Sequence, residues 1–213
     1  MKKLPLIILA VCVMAFLTMG ADAGKTYKPN DEGFIVNWLV LDPIKLPEAA
    51  ATHEEDSQKE FLNKEFFKGQ KEATPKDGDK VTVDGKERAW HARPTDDDAL
   101  SFEDFADDIT NSLFMGVAYI ICDNDMPDVK LAIGSDDSSM WMLNGKEVIR
   151  VYEGRAVDKD QNTSPALSLR KGMNVLCFAV INGDGPAGAC ARFVDKDGNP
   201  IKSFTVSLTP PEK

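Results

Sequence analysis

Apolar residues in this chain come in short runs, many alternating with polar ones, and Gly, Pro, Asn or Asp breaks the pattern about every ten residues. The most informative stretch is Gly134 to Val148, GSDDSSMWMLNGKEV, in which a strand enters an acidic turn and a second strand then reverses at Asn144-Gly145. Both central residues of a type I′ turn need positive φ, which Asn and Gly tolerate. VTVDGKERAW, Val81 to Trp90, repeats the logic around Asp84-Gly85. GFIVNWLVLDP, from Gly33, is apolar on both parities and so suits a strand covered on both faces. Leu113 to Cys122, Val129 to Ile133, Ala166 to Leu169, Val175 to Ile181, Ala187 to Val194 and Ile201 to Leu208 read as further strands. One segment departs from this rhythm. Between Glu54 and Lys68, Phe61, Leu62, Glu65 and Phe66 fall at helical spacings with Thr52 upstream as a cap, which predicts a short amphipathic helix. The charged run Gln70 to Lys80 reads as a mobile loop after it. Many short strands separated by turn signals predict an all-β fold, an antiparallel β-sandwich of jelly-roll type, with one short helix inserted near residues 54–68.

The first residues change the picture of where the chain works. Lys2 and Lys3, an apolar run from Leu4 to Leu17, and Ala21-Asp22-Ala23 have the order of a secretory leader, with cleavage expected after Ala23. That run is shorter than the roughly 18 to 20 residues a membrane-spanning helix needs. The mature chain then has 190 residues with 23 basic and 34 acidic side chains, against 25 and 35 in all 213 residues. Its expected organisation is a polar arm over residues 24–32, one sandwich domain over 33–208 and a frayed tail over 209–213. An acidic surface repels phosphate backbones, so nucleic acid is excluded as a partner class, while carboxylates suit divalent cations. Three cysteines remain, Cys122, Cys177 and Cys190, each in an apolar strand-like segment. An oxidising compartment permits one disulfide, with Cys177 and Cys190 the pair that flanks the turn Asn182 to Pro186; the other reading is three small buried residues.

Catalytic groups are scarce. His53 and His91 are the sole histidines, no G-x-S-x-G elbow occurs, and H-E-x-x-H zinc chemistry is excluded. Acid pairs such as Asp96 to Asp98 or Asp107-Asp108 read as a solvated acidic face rather than as glycosidase carboxylates. The chain is therefore expected not to be an enzyme.

In order along the chain, WLVLDP, Trp90, VAYIIC at Val117 to Cys122, LAIGSDDSSMWMLNGKEV, GRAVDKDQN, LSLRKGMNVLCFAVIN and ARFVDKDGNP carry a resemblance. The chain resembles the galactose-binding-like jelly-roll domains of secreted bacterial proteins, beside the sugar-binding domains of glycoside hydrolases and, more loosely, PA14-type adhesins. The resemblance spans most of residues 33–200. It departs from the pattern at Met173, where Trp is frequent, at Ala179, where Lys is frequent, and over Ile44 to Lys80, which matches poorly. It implies a module that binds saccharides, and in PA14-like adhesins paired acids at such a turn hold calcium that reaches sugar hydroxyls.

The candidate site residues follow. Asp136 and Asp137 are adjacent carboxylates whose charges repel unless solvent or a cation offsets them, so they are the candidate metal ligands, for calcium; the alternative is that they cap the turn backbone. Asn144 lies at the central hairpin, Trp90 has His91 and Arg93 as polar company for an aromatic sugar platform, and the planar donors of Arg155 suit a hydroxyl or carboxylate. Asp158, Asp160 and Asn162 have the spacing of a calcium loop, but Thr163 and Leu169 stand where its Gly and Glu belong. Asp195, Asp197 and Asn199 share the spacing, with Gly198 and Pro200 favouring a plain turn. The sequence thus points to a noncatalytic, secreted or periplasmic module for carbohydrate binding or adhesion with calcium support, its partner a polysaccharide or glycan. The alternative is a structural or protein-interaction subunit of the cell envelope, with the helix at 54–68 docking an envelope protein.

Overall fold

The computed structural model describes residues 24–51 and 55–210; the expected leader, Thr52 with its capping role, His53 and the last three residues lie outside them. The strands are β1 (Thr26–Tyr27), β2 (Asn37–Leu41), β3 (Ile44–Lys45), β4 (Lys80–Val83), β5 (Lys86–Pro94), β6 (Leu100–Ser101), β7 (Ser112–Cys122), β8 (Met126–Asp136), β9 (Ser139–Leu143), β10 (Lys146–Val151), β11 (Asn162–Thr163), β12 (Leu167–Leu169), β13 (Gly172–Asn182), β14 (Gly188–Val194) and β15 (Phe204–Ser207). Two helices, α1 (Glu48–Ala51) and α2 (Glu55–Asn63), stand between β3 and β4. The larger sheet runs β10-β9-β13-β7-β2-β5-β4, with β3 and β15 also on β7 and β1 on β15. The smaller runs β11-β8-β14-β6, with β12 also on β8.

Both hairpins form as the turn chemistry requires, with positive φ at Asn144 and Gly145 and at Asp84 and Gly85. The two sheets close on one core because their facing positions are apolar at period two. Trp38, Phe114, Trp141, Phe178 and Val180 from the large sheet meet Leu131, Ile133, Ala191 and Phe193 from the small one. Gly116 of β7 sits opposite Phe178 of β13, and a Cβ at Gly116 would meet the Phe178 ring at 2.2 Å. The ring lies across the bare backbone and reaches Trp38, 5.1 Å between centroids. The absence of a side chain at this one position therefore lets the aromatic cluster close.

The other face of the large sheet is equally apolar, which explains strands greasy on both parities. Met115, Val117, Tyr119, Met140, Met142, Cys177 and Ala179 lie under a third layer that includes Leu46, Leu62 and Phe66. That layer is the segment that departed from the sequence pattern. Its helix is shorter than expected, since α2 ends at Asn63 and Phe66 packs from the turn beyond it. The charged loop after it is pinned: Tyr119 Oη, buried in the sheet, donates to the Pro75 carbonyl, Gly78 N–H donates to the Trp90 carbonyl, and Ala92 N–H donates to Asp77. Burial pushes the Tyr119 hydroxyl strongly upward, so it stays a donor.

All three cysteines are free and buried. Cys177 faces the covering layer, whereas Cys190 lies in the small sheet with its sulfur toward the Asp158 carbonyl. The two are on opposite outer faces, across a spacing of about 10 Å between packed sheets and beyond the reach of a disulfide. The Cys177–Cys190 bridge considered from the sequence is thus corrected. Flanking one turn does not bring them together, because the chain changes sheets between β13 and β14. Among the described residues no helix is long and apolar enough to cross a membrane.

Candidate functional site

The acidic turn is the place where the chain leaves one sheet for the other. β8 ends in the small sheet with Asp136 beside Gly188 of β14, and β9 begins in the large sheet with Ser139 beside Val180 of β13. Asp136, Asp137 and Ser138 make the crossing, with a cis peptide between the two aspartates. Lying between the layers buries them, at 8% exposure for Asp136 and 7% for Asp137, along with Ser135, Ser138 and Ser139.

Buried polar groups need partners, and this turn supplies nearly all of them. Asp137 Oδ1 accepts the Arg155 N–H at 2.9 Å and Oδ2 accepts the Gly183 N–H at 2.9 Å. Its own N–H donates to the Ile181 carbonyl at 3.1 Å. Ser135 Oγ donates to the Asp137 carbonyl, and Trp141 Nε1 donates to Ser139 Oγ from the core side. Arg155, on the strand-free segment after β10, folds back over the turn. Its Nε donates to the Ser135 carbonyl, one Nη to Ser135 Oγ and the other to Asn162 Oδ1. This close passage is possible because Gly134 has no side chain: a Cβ there would meet the Asp158 carbonyl oxygen at 1.8 Å.

Charge at the turn is not balanced. Neither Asp136 nor Asp137 forms an ion pair with a described Lys, Arg or His. Burial first, and the neighbouring Asp137 charge second, push the Asp136 carboxyl well above the usual carboxylate range. A bond from the Val157 backbone and the charge of Arg155 oppose this without cancelling it.

The structure brings together Asp136, Asp137 and Arg155. It places the other two candidates elsewhere. Asn144 is at the far end of β9, about 20 Å away at the rise of an extended strand; its side chain donates to Asn174 Oδ1 and accepts the Val175 N–H, which ties β13 to the hairpin. Trp90 is 2% exposed, packed beneath the covering layer on the outer face of the large sheet, and its Nε1 has no partner. Asp160 pairs with Arg192, Asn162 with Arg155 and Asp158 with the Lys159 N–H, so the three side chains serve separate partners. Asp195 takes the N–H groups of Asp197 and Asn199, a plain turn.

Sequence reading did not single out Asn182. It lies between Ile181 and Gly183, both bonded to Asp137, and is fully buried; its Nδ2 donates to the Ile109 carbonyl while its Oδ1 has no partner. An Asn ending an apolar strand before Gly reads as turn chemistry, so nothing local marked it. Two carboxylates and an unsatisfied amide oxygen are hard donors of the kind calcium takes, and in that respect the residues fit the cation. No group of three or more His, Cys, Asp or Glu side chains arranged for a metal occurs among the described residues, so the remaining ligands would come from amide or backbone oxygens and solvent.

Loops converge on this end of the sandwich. Gly188 pairs with both Asp136 and Ser101, and Asn111 N–H donates to the Gly183 carbonyl. Two strands over from Asp136, about 10 Å, an open cleft of about 400 Å³ is lined by Arg93, Thr95, Asp96, Asp97, Asp104 and Phe105, with the Arg93 guanidinium 4.7 Å from the Phe105 ring centre.

No family model matches the chain, and no curated protein matches it. Several solved structures are similar to it in the course of the backbone. The PA14 domain of the antifreeze protein MpAFP shares 11% identity at a TM-score of 0.44, over 81% of this chain and 90% of that one. The PA14 sugar-binding domain from an RTX adhesin shares 11% at 0.40, over 81% and 99%. The A domain of epithelial adhesin 9 from Candida glabrata, solved with Galb1-3GlcNAc, shares 10% at 0.42, over 89% and 97%.

Proposed function

We propose that this chain is a noncatalytic, secreted module for carbohydrate binding or adhesion, and that its binding end is the crossover at Asp136 and Asp137 with calcium as the supporting ion. One observation carries the reading: two adjacent carboxylates are buried where the loops converge, and no described cation pairs with either. A buried pair of carboxylates without a cationic partner is relieved by protonation or by taking a cation. Asp136, Asp137 and the Asn182 amide oxygen are the side chains that would hold the ion. When bound, calcium supplies the missing positive charge and open positions for saccharide hydroxyls. Arg155 holds the turn from outside, and the neighbouring cleft offers hydroxyls, acids and the Arg93 guanidinium, which lies over the Phe105 ring.

The noncatalytic part has its own support. Glycosidase carboxyls stand about 5 to 9.5 Å apart across the scissile bond, whereas Asp136 and Asp137 are adjacent residues of one turn and both oxygens of Asp137 already accept N–H groups. The envelope-subunit alternative that uses the helix as its contact would need the helix's apolar face, and Leu62 is buried against the chain's own sheet.

Calorimetric titration of calcium into the processed protein and into Asp136→Asn/Asp137→Asn tests the reading, followed by a glycan array with and without calcium. Binding in the wild type at the roughly 10⁻⁴ to 10⁻³ M typical of extracellular modules, its loss in the double variant, and calcium-dependent retention of a saccharide are expected. Identical blank titrations and an empty array would sink it.

A further inference from the structure

Gln58 is the polar exception on the buried face of α2. It is 1% exposed and lies one turn before Leu62, on the face that packs against the large sheet. Its Oε1 accepts the Ser138 hydroxyl at 2.7 Å, a contact across 80 positions of the chain. Ser138 is the residue that directly follows the acidic pair. Its Oγ also accepts the Glu153 N–H at 2.8 Å, and its carbonyl accepts the Ile181 N–H at 2.9 Å. The next residue of the helix, Lys59, stands 5.6 Å from the ring centre of Tyr152, beside Glu153. One buried hydroxyl therefore joins the covering helix, the crossover turn and the segment that carries Arg155.

A serine hydroxyl has a single proton to give. With Gln58 as acceptor that proton is committed to α2, and the lone pairs are left for the Glu153 N–H. Without Gln58 the nearest alternative acceptor is the Glu153 carbonyl, at a long 3.4 Å. We infer that Gln58 is a positioning residue: it holds the Asp136–Ser138 turn in place through Ser138, so that docking of the inserted helix and order of the acidic pair are coupled. As a statement about ligand binding this rests on the proposed function; the coupling itself is readable without any ligand. Such coupling is reciprocal, so a change on the sandwich side must be felt in the helix.

Amide hydrogen exchange on the processed full chain tests it, with Gln58→Met, which keeps length and helix propensity but removes the acceptor, and with Ser138→Ala. Exchange is expected to speed up about three- to tenfold, the effect of one buried neutral hydrogen bond, at the amides of Asp137, Glu153, Arg155 and Gly183 in Gln58→Met, relative to mid-strand amides of β7 and β13. In Ser138→Ala the amides of Lys59 to Leu62 should speed up in the same way. If either folded variant alters amides on its own side alone, the inference is overturned; should Gln58→Met fail to fold, Ser138→Ala decides. Calcium titration of the same proteins keeps the two ideas apart. A wild type that ignores calcium removes the proposed function and leaves the exchange result to decide the coupling by itself. Where the wild type binds, Gln58→Met should bind about three- to tenfold more weakly, and unchanged affinity overturns the positioning role.

Discussion

At the scale of the residue, Asp136 and Asp137 are both turn-formers and an electrostatic problem. Asp137 caps two backbone N–H groups, as aspartates in turns commonly do, while Asp136 is left with a proton affinity raised by burial and by its neighbour. The direction sets a pH dependence. A carboxyl whose folded pKa lies above its unfolded value keeps its proton longer in the native state, so its stabilisation is complete below about pH 4 and is lost as pH rises toward neutrality. Asp137 and Arg155 are the charged groups that face it, and of the two the Asp137 charge prevails. Urea denaturation across this range should show the wild type losing stability with rising pH, Asp136→Asn losing less, and millimolar calcium flattening the wild-type slope. Parallel slopes for the two proteins would show that Asp136 ionises normally.

At the scale of the element, the unusual feature is a sheet apolar on both faces whose outer face is covered by an inserted segment. α2 is too short to persist as an isolated helix, so its order comes from the sheet it covers. Leu62 is the apolar anchor of α2 and Cys177 is among the residues below the layer, its thiol pushed up to about 12 by burial. Leu62→Asp should undock the helix, because a buried carboxylate there has no partner. With a thiol-specific dye the native wild type is expected to react slowly at all three cysteines, and the variant to gain one fast site, identified as Cys177 by peptide mapping. Equal labelling of Cys122 and Cys190 would mean general unfolding rather than lifting of the layer.

At the scale of the molecule, the two ends of the sandwich are chemically unlike. One gathers the crossover, the loops around residues 95–111 and 182–188, and the buried acids. The other holds the Asn144-Gly145 hairpin, tied by Asn144 and Asn174 to β13. Calcium added to isotopically labelled protein should therefore shift the amides of Asp137, Arg155 and Gly183 and leave those of Asn144 and Val175 in place. Shifts spread evenly over both ends would contradict a single binding end. The layers also decide the redox state, since the sheets hold Cys177 and Cys190 apart on opposite outer faces.

Local chemistry alone determined a good deal. Strand positions, both hairpins and the sandwich were legible because period-two apolarity and positive-φ turn pairs are properties of neighbouring residues. The adjacent acids stood out for the same reason. Their burial did not, nor did the grouping of Asp137 with Arg155, Ile181 and Gly183, or the link from Gln58 to Ser138. A strand apolar on both parities states that something covers it and leaves the cover unnamed; here the third layer hides Trp90 and both flanking methionines of Trp141. These relations were decided by the crossing of the chain from one sheet to the other, which sets residues far apart in sequence at hydrogen-bonding distance, a juxtaposition that no local periodicity encodes.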